Sequence, residues 1–307
     1  MPPIVTLTVN PAVDKNSAVQ QVVAERKLRC EDPEYHPGGG GLNVARAITE
    51  LGGEVTAYWT CGGAIGQLLE QLLDEEGISH NPISIEAHTR ENLIMYERSS
   101  ELQYRFGMPG ATLTAGEVQT CRDRLHAIDP PPEYLVLSGS LPPGVDDDFY
   151  AQMAAAMPST CRVVLDTSGG PLKRGLEAPL YLVKPNMREL GHLAGREVED
   201  DRQIREVARS LIDRGEVQAV VTSLGSGGAV LTTADAHRHV RAPTVTIHSK
   251  VGAGDSMVAG LVLALARGKA LEDALRFGVA AGSAAVMTGG TELCRREDAE
   301  RLYHAMS

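Results

Sequence analysis

The chain has 307 residues, of which 43% are hydrophobic and 22% charged, the balance of a globular protein with an extensive core. A formal net charge of −11, with no Lys/Arg block to reverse it locally, excludes a nucleic-acid-binding surface. Five widely spaced cysteines without a CxxC pair exclude a disulfide framework or zinc site, and the longest strongly apolar run, Met257–Ala266, is far short of the roughly 20 residues of a membrane span. The expectation is a cytoplasmic protein with buried free thiols and no membrane or nucleic-acid partner.

Ile4 to Val9 reads as a buried first strand, and Asn10-Pro11-Ala12-Val13-Asp14 as a turn that leaves Asp14 just past the strand end. Residues 17–35 are strand-like, without a helical stripe. His36-Pro37-Gly38-Gly39-Gly40-Gly41 then opens onto a helix over 42–51 that stops before Gly52-Gly53. Val55–Thr60 reads as a strand, and Ile65, Leu68, Leu69, Leu72 and Leu73 make a helical stripe closed by Gly77. Residues 92–98 and 103–108 read as a hairpin, which with 17–35 could form a small separate sheet.

Beyond Pro130-Pro131-Pro132 the spacing predicts strands at 134–138, 162–166, 180–183 and 218–222, and helices at 147–157, 187–194 and 202–214. A hairpin-like stretch from Ala229 to Ile247 follows, then helices after Asp255, over 271–287 and over 296–306. Strands alternating with helices predict a mostly parallel sheet covered on both faces. No linker splits the chain, so residues 1–307 are expected to form one domain. The nine histidines show no metal-binding spacing and are expected to be surface or structural.

The stretch Ser249-Lys250-Val251-Gly252-Ala253-Gly254-Asp255-Ser256 hands a glycine loop straight to an apolar helix. The first N–H groups of a helix lack intrahelical partners and carry the positive end of its dipole, so Gly252, Ala253 and Gly254 can bring bare donors to an anion. Asp255 would repel a passive phosphate but could accept a proton from an attacking hydroxyl, an arrangement that suits phosphoryl transfer to an alcohol. The alternative is a plain helix cap on a glycine turn. No Gly-Lys-Ser/Thr triplet occurs, and Met257 stands where a dinucleotide fingerprint needs a third Gly.

Four ordered motifs carry a resemblance. Gly38-Gly39-Gly40-Gly41-Leu42-Asn43-Val44-Ala45-Arg46 and Val251-Gly252-Ala253-Gly254-Asp255-Ser256 resemble the two signatures of the ribokinase-like, phosphofructokinase-B carbohydrate kinases. Lys184-Pro185-Asn186-Met187-Arg188-Glu189 is similar to that family's Asn-x-x-Glu motif, and Thr222-Ser223-Leu224-Gly225-Ser226-Gly227-Gly228-Ala229 to its nucleotide loop. Thr89-Arg90-Glu91-Asn92-Leu93, Gln103 to Gly110 and Ser138 to Gly144 resemble the branch that phosphorylates fructose 6-phosphate. The related fructose-1-phosphate and tagatose-6-phosphate kinases typically carry a Lys inside the first glycine loop, which here reads Gly39-Gly40-Gly41.

The resemblance implies a ribokinase-like α/β fold with a β lid from about 12–36 and 88–108, and transfer of the γ-phosphoryl group of ATP to the C1 hydroxyl of fructose 6-phosphate. Asp255 would be the general base and Gly252, Ala253 and Gly254 the anion hole. A helix N-terminus is expected to lower the Asp255 pKa. Lys27, Arg29, Arg90 and Arg105 would hold the sugar phosphate, while Asp14, Gly39, Gly40, Asn43 and Ser138 would hold the sugar. Lys184, Asn186, Glu189, Ser223 and Gly225 would surround ATP and Mg²⁺, with Asp166 assisting the metal. K⁺ would sit among Ser249, Val251, Ala285, Thr288 and Gly290, and pairing of two lids predicts a homodimer. Two rivals stand beside this reading: the same chemistry on another sugar, and a sensor that binds nucleotide and sugar phosphate without turnover.

Overall fold

The computed structural model describes residues 3–306. Strand β1 (Ile4–Thr8) is buried at every position, as a central strand covered on both faces must be. The chain then leaves the main sheet to form β2 (Ala12–Val19) and β3 (Glu34–Gly38), an antiparallel pair that hands over to α1 (Gly40–Glu50). It re-enters through β4 (Thr56–Cys61), α2 (Gly63–Glu75) and β5 (His80–Ser84). A second excursion makes the hairpin β6 (Arg90–Glu97) and β7 (Leu102–Phe106), and α3 (Ala115–His126) brings the chain back.

Alternating elements follow: β8 (Tyr134–Ser138), α4 (Phe149–Ala155), β9 (Arg162–Asp166), α5 (Gly169–Gly175), β10 (Leu180–Val183), α6 (Met187–Ala194), α7 (Asp201–Asp213) and β11 (Val217–Ser223). Strands β12 (Ala229–Thr233) and β13 (His237–Val240) precede a helical end of α8 (Ala253–Ala266), α9 (Leu271–Ala285) and α10 (Arg296–Ala305). The main sheet runs β13-β12-β11-β10-β9-β8-β1-β4-β5, and every neighbouring pair is parallel except β11–β12 and β12–β13. The order therefore reverses at β1, between β4 and β8, and α/β sheets open a crevice at such a reversal.

Two layers of core cover the sheet. Tyr134 and Val136 of β8 face a cluster built with α1, α8, α9 and α10, while Leu135 and Leu137 face a second built with α3, α4 and α7. The whole of 256–266 in α8 is buried, so this helix is apolar on all sides. Its backbone lies close to α9: a Cβ at Gly260 would come within 2.8 Å of Ala281 Cβ, and one at Gly278 within 2.8 Å of Met257 O. Among the described residues no helix is long and apolar enough to cross a membrane.

The second sheet runs β3-β2-β6-β7, with β2 and β6 parallel from Ala12 opposite Arg90 to Val19 opposite Glu97. It is pinned internally by the buried Glu97 carboxylate, which accepts from Val22 N at 2.7 Å, Ser100 Oγ at 2.5 Å and Tyr104 OH at 3.1 Å. Val22, Tyr96, Leu102, Phe106 and Met108 of this sheet and its loops stay exposed.

Several expectations need correction. Asp14 lies inside β2, opposite His36, rather than in a turn. Only 12–19 and 34–38 of the first excursion are strand, and the stretch after 229 keeps strand structure only to Val240. Strand β5 and helices α3 and α5 are additions. Strand β5 is a polar edge strand containing Pro82, which blocks further pairing and hides the alternation. Helix α5 opens with Gly-Gly-Pro, a sequence that reads as loop. Helix α3 buries only Val118, Cys121 and Leu125, although its Thr114–Glu117 capping box was visible in the sequence. The cysteines are all free as expected, but Cys30 is exposed and Cys61 only half-buried.

Candidate active site

Gly252, with φ +71°, is the N-cap of α8, so Asp255 sits within the first turn and its carboxylate makes no capping bond. The plain-cap reading of Asp255 is therefore wrong. Its Oδ2 instead accepts from Asn43 Nδ2 of α1 at 2.9 Å. The expected lowering of its pKa is also overturned. Burial pushes the carboxyl up to about 6, with the negative charge of Asp166 adding to the rise and the Asn43 bond, Lys184 and Arg105 opposing it. The helix dipole is thus outweighed by lost hydration and a neighbouring anion.

Lys184 leaves β10 buried and pairs with Asp166, at the end of β9, across 3.0 Å. Burial works against its ammonium, but Asp166, and more distantly Asp255 and Glu189, outweigh that and raise its pKa. A Cβ on Gly254 would lie 3.5 Å from Lys184 Nζ, so the cation stands over the start of α8. Asn186 and Glu189 form a reciprocal capping box on α6, with Asn186 Oδ1 accepting from Glu189 N at 2.9 Å and Glu189 Oε2 from Asn186 N at 2.8 Å. This cap fixes the Glu189 side chain through Oε2.

Ser223 and Gly225 border a cavity of about 490 Å³ that continues to Ala253 and Gly254 and has Val245, Met257 and Val279 on its walls. The cavity thus joins partly apolar walls to the unpaired N–H groups that begin α8, a shape that suits a small ligand with an apolar body and an anionic end. These wall residues were missed in the sequence, because apolar side chains on a slot look like core. Ser249 and Val251 flank Lys250, which also borders the cavity; Val251 N donates to Ser249 Oγ at 3.2 Å and Ser249 Oγ donates to Gly290 O at 2.7 Å. Thr288 Oγ1 bonds the carbonyls of Ala285 at 2.7 Å and Glu292 at 3.0 Å. The five residues expected around K⁺ thus fall on the loop before α8 and on the end of α9 with the loop that follows it.

On the other side of Asp255, the glycine loop packs into the crevice at β1. A Cβ on Gly41 would stand 2.6 Å from Leu7 O, and one on Gly40 would press on Ser138 Oγ and lie 2.7 Å from Gly139 N. Gly39 has φ +113°, open only to a residue without a side chain at low cost. Asp14 is buried, its carboxylate against Gly38, and Oδ1 accepts from Asn92 Nδ2 at 2.8 Å. Asn92 had no role in the sequence reading. Its own Oδ1 accepts from Met108 N at 3.1 Å, tying the Asp14 carboxylate to the segment after β7.

The cations are less concentrated than expected. Arg90 bonds three backbone carbonyls, those of Asn10 at 3.1 Å, Met108 at 3.0 Å and Pro11 at 3.4 Å. Arg105 is exposed on β7 and acts on Asp255 through its charge alone. Lys27 and Arg29 are exposed and make no hydrogen bond or ion pair among the described residues. The structure therefore brings together Asp14, Asn43, Ser138, Lys184 and Asp255 with their glycines, and leaves Lys27 and Arg29 in solvent.

A family model described as pfkB family carbohydrate kinase matches residues 6–298. The chain is 43% identical over 303 residues to the ATP-dependent 6-phosphofructokinase isozyme 2 of Mycobacterium tuberculosis (strain CDC 1551 / Oshkosh), covering 98% of this chain and 89% of that one. It is 41% identical over 306 residues to the protein of the same name from Escherichia coli (strain K12), covering 99% of each. The crystal structure of phosphofructokinase-2 from Escherichia coli in complex with potassium superposes with a TM-score of 0.95 at 40% identity, over 100% of this chain and 99% of that one. The architecture is the ribokinase-like α/β fold, and the chain belongs to the pfkB family of carbohydrate kinases.

Proposed function

We propose that the protein is an ATP-dependent 6-phosphofructokinase, which joins the C1 oxygen of fructose 6-phosphate to the γ-phosphorus of ATP and releases ADP. The observation that carries this reading is the Asp255 carboxylate, half-buried in the first turn of α8 and titrating near 6, beside the free N–H groups that begin the helix. A carboxylate so placed is ionised at neutral pH yet more basic than an ordinary aspartate. It accepts the C1 hydroxyl proton as the P–O bond to ADP breaks, while the backbone of Gly252, Ala253 and Gly254 and the Lys184 ammonium face the negative oxygens in transfer.

Asp14, Asn43, Ser138, Gly39 and Gly40 hold the sugar in the crevice at β1. Arg90, Arg105, Lys27 and Arg29 supply the local positive charge for its phosphate. The relatives at 43% and 41% identity both carry the 6-phosphofructokinase name, and the lysine-free Gly39-Gly40-Gly41 loop supports the same sugar.

Among the described residues no group of three or more acidic, His or Cys side chains is gathered to hold a resident metal. Mg²⁺ fits as a companion of the nucleotide, held by phosphate oxygens and water with Glu189 nearby, and its chemistry is to neutralise phosphate charge. The carbonyls and hydroxyls of Ser249, Val251, Ala285, Thr288 and Gly290 are the hard oxygen donors that suit K⁺, and a potassium complex of the Escherichia coli relative supports that choice. The exposed apolar residues of the small sheet support a homodimer formed lid to lid, and the cytoplasm is its proposed location.

The test is ADP release with Mg²⁺ and ATP on fructose 6-phosphate, tagatose 6-phosphate and fructose 1-phosphate, with Asp255→Asn as control. The highest kcat/KM is expected on fructose 6-phosphate, with the variant slowed by about 10²-fold or more. A higher value on another sugar sinks the substrate assignment, and binding without turnover sinks the enzyme.

A further inference from the structure

We infer that Arg46 is a positioning residue for the general base: it holds the Asn43 side-chain amide with its NH₂ end, and not its oxygen, facing Asp255. The inference rests on the reading of Asp255 as that base.

A primary amide has two ends of almost the same shape and opposite polarity. Turned one way, Asn43 donates to Asp255 Oδ2 at 2.9 Å. Turned the other way, it would set its own oxygen against a carboxylate. The choice is made on the far side. Arg46, one helical turn along α1 and only 8% exposed, points Nη1 at Asn43 Oδ1 across 3.4 Å. A guanidinium has donors and no acceptor, so it accommodates the oxygen end of the amide and rejects the NH₂ end.

Arg46 is itself locked. The same Nη1 donates to Pro37 O at 3.0 Å, and Nε and Nη2 grip Glu76 at 2.6 Å and 2.7 Å in a forked pair. A line of contacts therefore runs from Glu76 at the end of α2, through Arg46 and Asn43 of α1, to Asp255 of α8. It also fixes the carbonyl that precedes the glycine loop. The other charges facing Asp255 are Asp166 from β9, Lys184 beyond β10 and Arg105 from β7, and none of them hydrogen-bonds Asn43, whose side chain pairs with Asp255 and Arg46.

A staple between α1 and α2 would explain the Arg46–Glu76 pair alone, but it would not move the titration of Asp255. Because the Asn43 bond favours the ionised carboxylate, its loss must raise the pKa at which activity falls in acid.

The experiment is a pH profile of kcat for wild type, Arg46→Met and Arg46→Lys, with the side-chain NH₂ resonances of Asn43 followed by ¹H–¹⁵N NMR. Arg46→Met is expected to lower kcat by about 10- to 100-fold, raise the KM for sugar but not that for ATP, move the acid limb to higher pH and shift the Asn43 resonances. Arg46→Lys should recover part of each change. Should Arg46→Met not fold, Glu76→Ala, at a position 34% exposed, releases the guanidinium without opening the core and should give the same shifts, smaller. An unmoved acid limb with unmoved Asn43 resonances in a folded variant overturns the inference. If Asp255→Asn keeps wild-type turnover, the base reading fails instead, and the Asn43 resonances still judge the Arg46 contact.

Discussion

Asn43 Nδ2 reaches Asp255 Oδ2 across 2.9 Å, joining the first turns of α1 and α8 although 212 positions separate the two residues in the chain. The two glycine loops thereby present their helix starts to one point. In the proposed mechanism one supplies the crevice for the acceptor and the other the donors for the transferred group.

The raised pKa of Asp255 links activity to stability. Unfolded, the carboxyl titrates at its ordinary value; folded, it titrates near 6. Between those values the folded chain holds a proton that the unfolded chain has released, so stability falls as pH rises through the window and the whole penalty is present above it. The penalty is on the order of 3 kcal/mol. Asp255→Asn is therefore expected to lower kcat by about 10²-fold or more while raising the urea midpoint at about pH 8 and leaving it unchanged near pH 4. Equal midpoints at both pH values would show that the carboxyl is not strained by burial.

Gly40→Ala would push a methyl group against Ser138 Oγ and the Gly139 backbone. We expect a loss of about 1–3 kcal/mol of stability, with a rise in the KM for sugar larger than that for ATP, since the α1 N-terminus is displaced and α8 is not. Steady-state kinetics in both substrates checks this. A rise confined to ATP would misplace the sugar.

Leu102 is 58% exposed and Phe106 47%, both on the edge strand β7. Phe106→Glu or Leu102→Glu should leave the monomer folded and shift sedimentation from dimer to monomer at micromolar concentration. If wild type already sediments as a monomer, lid pairing is wrong.

Trp59, the single tryptophan, is fully buried and donates from Nε1 to His80 Nδ1 at 3.3 Å, while His80 Nε2 meets Asp74 Oδ1 at 3.2 Å. His80 must therefore carry its proton on Nε2. His80→Ala leaves the indole N–H without its acceptor and should cost about 1–3 kcal/mol, with altered Trp emission and unchanged kcat. Unaltered emission would place the indole elsewhere.

The alternation of strands and helices was legible because both faces of the sheet are buried, which makes each strand a short apolar run. That Asp255 and its glycines open a helix was legible because a glycine loop running into an apolar stretch marks a helix start. Arg90 and Glu189 were legible as residues but not as partners: whether a guanidinium meets a phosphate or three carbonyls depends on distances that spacing along the chain does not carry. The Asp255 pKa was misjudged for a related reason. The dipole is a property of the local sequence, whereas the charge of Asp166 arrives from a strand end 89 positions away in the numbering.

Helix α8 begins with unpaired N–H groups and then runs buried on every side, its glycine-lined flank pressed on α9. A helix with no solvent face has no route to fray from one side. Its amide hydrogens should exchange with deuterium only when the molecule opens as a whole, the first turn included as far as its missing partners permit. The donors proposed to meet a phosphoryl group are then set in place before any nucleotide arrives, and heating should abolish catalysis in the same transition that melts the core.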